Sequence, residues 1–195
     1  MSPNDLHDFL AVLALIAVGG AVVMVLARII PSVASVRFLG LMHKVQLPLA
    51  ALVATTASLG SLYFSEYGNH WTPCRFCWFQ RIFMYSSAVV LLVGAIRRDR
   101  SVKWFAGPLA AIGLFTSLWH NLLERGVMEE SSVCSLTVPC AIPYKVSFGH
   151  YNGDGLASGF PSVTLAVMAF AGFAAILALL FTPESLEDDL DGEPA

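Results

Sequence analysis

The chain has 195 residues, of which 56% are hydrophobic and 13% are charged, and its formal net charge at pH 7 is −3. Soluble domains carry roughly 25% charged residues, so this composition excludes an ordinary soluble globular protein and indicates an integral membrane protein. The charged residues form no basic patch of the kind that binds nucleic acid, so we expect the lipid bilayer, and no nucleic acid, as a partner.

Five stretches are long and apolar enough to cross a bilayer, which takes about 20 residues of helix. They are residues 9–30, 47–67, 78–96, 104–123 and 160–181. The pattern predicts an all-α membrane protein with five spans. The segment ahead of the first span contains no Lys or Arg, unlike a secretory signal, so we expect this span to be retained. The small residues Ala34 and Ser35 leave cleavage after the span as an alternative.

Basic residues in the short loops predict the orientation of the chain. Seven of them lie on one side, in the first connection with its flanks and in the third connection: Arg28, Arg37, Lys44, Arg97, Arg98, Arg100 and Lys103. We therefore expect that side to be cytoplasmic. Five spans then place the N-terminus outside and the C-terminus inside. The two cysteine-containing connections, residues 68–77 and 124–159, face the outer side, where disulfides persist.

The first outer connection ends in a C-x-x-C pair, Cys74 and Cys77, directly before an apolar helix. If the helix begins near Cys77, Arg81 lies at i+4, on the same face and about one turn deeper. A cation there favours the thiolate of Cys77, the species that attacks disulfides or donates electrons. A charge inside a span marks a functional site by default, and the alternative is that Arg81 extends to the interface.

The second outer connection carries Cys134 and Cys140. Two dithiols on one face permit a relay, in which the loop pair meets a soluble thiol protein and the surface pair meets a lipid-soluble electron acceptor. The alternatives are two structural disulfides and a four-cysteine zinc site. The C-x5-C spacing, with Pro139 inside it, fits a zinc knuckle poorly, so we expect no metal.

His120 lies near the outer end of the fourth predicted span. It is a candidate for moving protons or for donating to a bound carbonyl oxygen, and a polar residue at a helix end is the alternative. Glu66 and Glu124 are interpreted only as helix-end charges.

Two motifs together resemble a known family. The stretch Cys74–Ile82 resembles the P-C-x-x-C-W-x-Q-R-I signature of the DsbB/BdbC disulfide-bond formation proteins. The pair Cys134 and Cys140, with Phe160–Ser162 opening the last span, resembles the second cysteine loop of the shorter-looped BdbC-type members.

The resemblance implies a four-helix transmembrane bundle within residues 46–182. Residues 1–45 then form an extra N-terminal transmembrane helix and a cytoplasmic loop, and residues 183–195 form an acidic cytoplasmic tail. It further implies a bacterial plasma-membrane enzyme, a quinone-dependent thiol oxidase. Such an enzyme reoxidises a DsbA/BdbD-like thioredoxin-fold oxidase, passes electrons to ubiquinone or menaquinone, and so sustains disulfide formation in exported proteins.

The resemblance also implies residue roles. Cys77 is the quinone-proximal cysteine with Cys74 as its disulfide partner, and Arg81 holds the quinone and favours the thiolate. Cys134 takes the mixed disulfide with the soluble oxidase, while Cys140 completes the loop pair and exchanges with Cys74.

Two other functions remain open at this stage. One is a non-enzymatic membrane scaffold whose outer loops are stapled by disulfides. The other is a vitamin K epoxide reductase-like enzyme, although that family carries its C-x-x-C late in the chain, and here it precedes the third span. Gln80 stands where some DsbB-like members carry an acid, so it receives no acid–base role, and the first helix lies outside the four-helix pattern.

Overall fold

The computed structural model describes residues 3–30, 32–68, 70–129 and 138–183. Five helices account for most of them: α1 (Pro3–Ile29), α2 (Val33–Glu66), α3 (Arg75–Arg97), α4 (Lys103–Glu124) and α5 (Leu165–Leu180). A short 3-10 turn, Arg100–Val102, precedes α4. Between α4 and α5, β1 (His150–Tyr151) and β2 (Ala157–Ser158) pair as a small antiparallel hairpin.

Among the described residues, four helices are long and apolar enough to cross a membrane: α1, α2, α3 and the segment Arg100–Glu124. They correspond to the first four predicted spans and confirm an all-helical membrane architecture. The fifth predicted span, residues 160–181, is not confirmed, since α5 has only 16 residues. Its start is delayed because Val163 pairs with Ser147 in an antiparallel bridge. Thr164 then caps the helix by accepting from the Val167 amide.

The second helix is longer than its apolar stretch. Residues 33–46, which were assigned to a loop, form the first part of α2, and the Ser32 hydroxyl caps it by accepting from the Ser35 amide. Hydropathy detects the membrane-crossing part of a helix but not a polar extension of the same helix. The difference therefore concerns only where the helix begins.

Small residues let the helices approach closely around α5, which packs against α1, α2 and α4. Ala50 and Ala54 of α2 and Ala110 of α4 are fully buried with Phe173 of α5. A Cβ atom added to Gly113 would lie 2.3 Å from the Phe173 ring, so this crossing requires glycine. Such close contacts are the usual basis of helix association in membranes.

The N-terminal end of α1 is tied to the loop that follows Cys140. The Ser147 hydroxyl donates to Asp8, so its oxygen accepts from His7 Nδ1, 2.8 Å away. Lys145 Nζ lies 2.8 Å from the Asp8 carboxylate and donates to the Asn4 carbonyl. The extra helix thus holds residues 145–147 in place.

An aromatic stack joins the two cysteine-containing connections. Trp71 stacks on Phe64 of α2 at 5.2 Å and on Tyr144 at 5.3 Å between ring centroids. The Tyr144 hydroxyl donates to the Thr72 carbonyl, two residues before Cys74. Both cysteine-containing connections therefore lie at the same end of the molecule.

We expect Ser147→Ala to destabilise the protein by about 1–3 kcal/mol, because it leaves the buried His7 Nδ1 and the Asp8 carboxylate without this shared partner. For a chain of this size the melting temperature should fall on the order of 5 °C. Ser65→Ala is the control, since the Ser65 hydroxyl bonds to the backbone of its own helix. Equal melting temperatures for the two variants in detergent would contradict the assignment.

Candidate redox site

Cys74 is the N-cap of α3. Its backbone is extended after Pro73, and its sulfur accepts a hydrogen bond from the Cys77 amide at 3.2 Å. The helix therefore starts at Arg75, slightly earlier than predicted. The N-terminal amides and the helix dipole favour a negative charge at this position.

The two sulfurs of the C-x-x-C pair lie 2.6 Å apart and are not joined by a disulfide. Closure to a bond of about 2.05 Å requires little movement. The hydrogen bond from Cys77 lowers the pKa of the Cys74 thiol to about 5, against the effect of burial. The sequence predicted a favoured thiolate at Cys77, and this stays a prediction. The thiol whose pKa is lowered here is that of the capping residue, Cys74.

His120 brings the C-x-x-C pair and the second cysteine loop together. Its Nε2 donates to the Cys140 carbonyl at 3.0 Å and lies 3.7 Å from the Cys74 sulfur. Cys74, Cys140 and Leu123 form one buried cluster. Cys140 is disulfide-bonded, and Cys134 lies outside the described residues, so its predicted role stays a prediction.

Gln80 orients the imidazole. It is 7% exposed, and its side-chain amide lies 3.1 Å from His120 Nδ1. A carbonyl can only accept, so Nε2 carries the proton that is shared between Cys140 and Cys74. Gln80 thus has a positioning role that the sequence did not assign.

Glu124 is the residue that sequence reasoning missed. It is 4% exposed, its Oε1 lies 3.8 Å from His120 Nε2, and its Oε2 accepts from the Thr164 hydroxyl. The available signal was its i+4 spacing from His120, which puts both on one face of α4. Thr164, at the start of α5, is distant from Glu124 in sequence, so the sequence gave no sign of their hydrogen bond.

Arg81 faces α2, away from His120. Its Nε donates to the Ser61 hydroxyl at 3.0 Å and its Nη2 to the Ser61 carbonyl at 2.9 Å. The guanidinium carbon also lies 5.5 Å from the centre of the Trp78 ring. These contacts hold the cation between α2 and α3, about one turn deeper than Cys77.

A cavity of about 500 Å³ opens beside Cys77 and Arg81. Its size is within the range of ligand sites, roughly 300–1,000 Å³. Tyr85 also lines it, and the Tyr85 hydroxyl is buried with no hydrogen-bond partner among the described residues. Gln80 lines it as well, whereas His120 does not, so Gln80 separates the cavity from the Cys74 side of the site.

The same cysteines also meet the distance requirement for a metal. Sulfur of Cys74 and Cys77 and a ring nitrogen of His120 lie within 4.8 Å of one another. Such a set of soft ligands suits Zn²⁺ when both cysteines are reduced. The sequence predicted no metal here.

Comparison with known proteins identifies the family. The family described as "Disulfide bond formation protein DsbB" matches residues 43–183. A probable disulfide formation protein of Deinococcus radiodurans is 40% identical over 140 residues, which are 71% of this chain and 88% of that protein. The chain belongs to the DsbB family. This confirms the resemblance, and with the four apolar helices it makes the chain a multi-pass membrane protein of disulfide bond formation.

Two further DsbB-family relatives agree. A probable disulfide formation protein C 2 of Bacillus anthracis is 33% identical over 141 residues, 72% of this chain and 91% of that protein. Disulfide bond formation protein C of Bacillus subtilis is 42% identical over 100 residues, 50% of this chain and 71% of that protein. No solved structure gives a significant match. The match to the DsbB family begins at residue 43, so α1 lies outside it.

The hydrogen bond between the two thiols predicts the titration of the reduced C-x-x-C pair. We expect Cys77→Ala to raise the pKa of the Cys74 thiol from about 5 towards the ordinary value near 8.5, because the thiol that donates to its sulfur is lost while the capping amide of residue 77 remains. Cys77→Ser is the matched control, since a hydroxyl still donates. The measurement is thiolate ultraviolet absorbance against pH under reducing conditions. A pKa of Cys74 near 8.5 in the Cys77→Ser variant would contradict the hydrogen bond as its cause.

Proposed function

We propose that this DsbB-family protein is a thiol:quinone oxidoreductase of the bacterial plasma membrane. It reoxidises a DsbA/BdbD-like thioredoxin-fold oxidase and passes electrons to ubiquinone or menaquinone. The observation that carries the proposal is the position of the C-x-x-C pair. Cys74 faces His120 and the Cys140 loop, while Cys77 faces an apolar cavity.

The residues around that cavity suit a quinone. The site has a cation, Arg81, whose contacts with Ser61 leave it at the cavity wall, and an unpartnered hydroxyl, Tyr85, within the part of the chain described. Both can donate to carbonyl oxygens. When bound, the quinone takes up two electrons and two protons as the Cys74–Cys77 dithiol closes to a disulfide.

The preceding exchange steps balance without another oxidant. The reduced soluble partner gives its two electrons to the Cys134–Cys140 disulfide through a mixed disulfide at Cys134. The Cys140 thiolate then attacks Cys74, which breaks the Cys74–Cys77 bond and releases Cys77. Attack of Cys134 on Cys140 restores the loop disulfide and releases Cys74 as a thiolate.

His120 and Glu124 support the release of Cys74. The Nε2 proton of His120 points towards the region between Cys74 and the Cys140 carbonyl, so it can donate to the departing thiolate. Glu124, held by Thr164, supplies the opposite charge when the imidazole is protonated. In this arrangement His120 acts on sulfur, and Arg81 acts on the quinone.

The orientation is part of the proposal. Both cysteine pairs face outward, the N-terminus lies outside, and the acidic tail lies in the cytoplasm. The seven basic residues in and beside the first and third connections support it. The loops that carry the two pairs also meet at one end of the molecule, through the Trp71–Tyr144 stack.

The direct test is oxidation of a reduced thioredoxin-fold partner by the purified protein in lipid nanodiscs, with and without quinone. We expect turnover that requires quinone and that is abolished by Cys77→Ser and by Cys134→Ser. Glu66→Gln, on the exposed end of α2, serves as the control and should retain full turnover. Undiminished turnover without quinone, or in either cysteine variant, would rule out the relay.

A second test addresses Glu124. We expect Glu124→Gln to slow thiol–disulfide exchange by roughly tenfold to a hundredfold. This factor corresponds to the free energy of one hydrogen bond to a charged group. The change should also remove one ionisation from the pH–rate profile, which a purely structural loss would leave in place. The KM for quinone should stay unchanged. A pH–rate profile identical to that of Glu66→Gln would refute the role.

A further inference from the structure

The extra helix α1 forms one wall of the cavity beside Cys77 and Arg81, although it lies outside the DsbB match. Its lining residues lie three or four positions from one another along one helix face: Leu10, Leu13, Ala14, Ile16, Ala17, Gly20 and Met24. The opposite walls are formed by α2 and α5. This chain therefore completes the cavity with a helix that the family pattern does not contain.

The cavity is long and apolar. Along α1 it extends from Leu10 to Met24, about 21 Å of helix at ~1.5 Å per residue, or about two-thirds of the ~30 Å hydrocarbon core. Arg81 is the one charged side chain among the described residues that line it, and it lies at the end near Cys77. A ligand that fits has a polar end beside Arg81 and a long apolar remainder.

The cavity also has an opening between α1 and α2. The two helices touch near Gly60, where an added Cβ atom would lie 2.7 Å from Leu10. Farther from this contact, the lining residues Ile16 and Leu52 are 65% and 62% exposed. We call this space between α1, α2 and α5 the α1 slot. Through it, a lipid-soluble molecule can enter from the side.

We propose that α1 makes this protein selective for quinones with a long isoprenoid tail, because the tail lies in the α1 slot against the Gly20 face of the helix. The inference rests on the proposed function, which supplies the quinone ring beside Cys77. The slot is continuous with the proposed ring position beside Cys77, so a tail attached to the ring can extend directly into it. It is apolar and long enough for several isoprene units.

Gly20 allows a controlled test of the slot, because the adjacent Gly19 can carry the same substitution outside the cavity. A Cβ atom added at Gly20 or at Gly19 would meet no other heavy atom within 4 Å, yet only Gly20 lines the cavity. Gly20→Phe adds an aromatic side chain on the slot side of α1, from a Cβ position with no neighbour within 4 Å, and Gly19→Phe adds the same side chain at the adjacent position. Both variants lose the same glycine flexibility.

The experiment measures the Kd of two probes in nanodiscs, a quinone with a single isoprene unit and one with a long tail, by quenching of tryptophan fluorescence. We expect Gly20→Phe to raise the Kd of the long-tailed probe about tenfold, because about two methylene groups of the tail are no longer buried. Binding of the short probe and turnover with it should stay within about twofold. Gly19→Phe should match the wild type with both probes, and long-tailed quinone should co-purify with it but not with Gly20→Phe.

A second pair guards against poor folding of a helix variant. Leu52 and Leu59 of α2 are each 62% exposed, and only Leu52 lines the slot. Leu52→Trp should weaken the long-tailed probe, and Leu59→Trp should not.

Three results would overturn the inference, and none of them is the result that would refute the proposed function. Equal affinities of the Gly20 and Gly19 variants for the long-tailed probe would show that the tail does not contact α1. Equal loss of both probes in Gly20→Phe would place the effect at the ring. Loss of co-purifying phospholipid alone would assign the slot to an acyl chain. By contrast, wild-type turnover that needs no quinone would refute the oxidoreductase itself.

Discussion

The hydrogen bond from His120 to the Cys140 carbonyl is the constraint on which the site depends. It holds the second cysteine loop over the start of α3, with Cys74 within 3.7 Å of the same nitrogen. α4 must therefore return beside α3 in a close antiparallel pair. The connection permits this because Arg98 caps α3 in the left-handed conformation and because Val102 packs where a side chain at Gly94 would stand.

A buried imidazole and a buried carboxylate are costly unless hydrogen bonds compensate them. Gln80 contacts one nitrogen of His120, and Thr164 donates to Glu124. These partners come from α3 and from the start of α5, so the polar cluster joins three helices at one end of the bundle. Below it the contacts are apolar and close, as at Gly113 and Phe173. Polar contacts thus join the helices at the end that carries the cysteines, and close apolar contacts set the helix spacing below it.

The extra helix is attached at both ends and leaves space in the middle. At the N-terminal end His7 donates to Ser147, and at the C-terminal end Arg28 donates to the Ala178 and Phe181 carbonyls. Between these ends α1 packs on α5 and touches α2 near Leu10 and Gly60, and beyond that contact the cavity separates α1 from α2. One helix thus supports the second cysteine loop and also bounds the cavity on the far side of the C-x-x-C pair. One side of that pair faces His120 and the Cys140 loop, and the other side faces the cavity.

The sequence by itself determined the features that depend only on residues close together along the chain. Apolar runs located four of the helices, and the C-x-x-C motif located Cys74 at a helix start and Arg81 one turn deeper. Contacts between distant segments were decided only by the tertiary structure. Glu124 is part of the site because it lies beside His120 and accepts a hydrogen bond from Thr164. Arg81 donates to Ser61 of α2. Helix α5 is shorter than its apolar stretch because Val163, just before it, pairs with Ser147 of the preceding loop. Hydropathy and spacing report which residues lie on one helix face, but which faces meet depends on packing between helices.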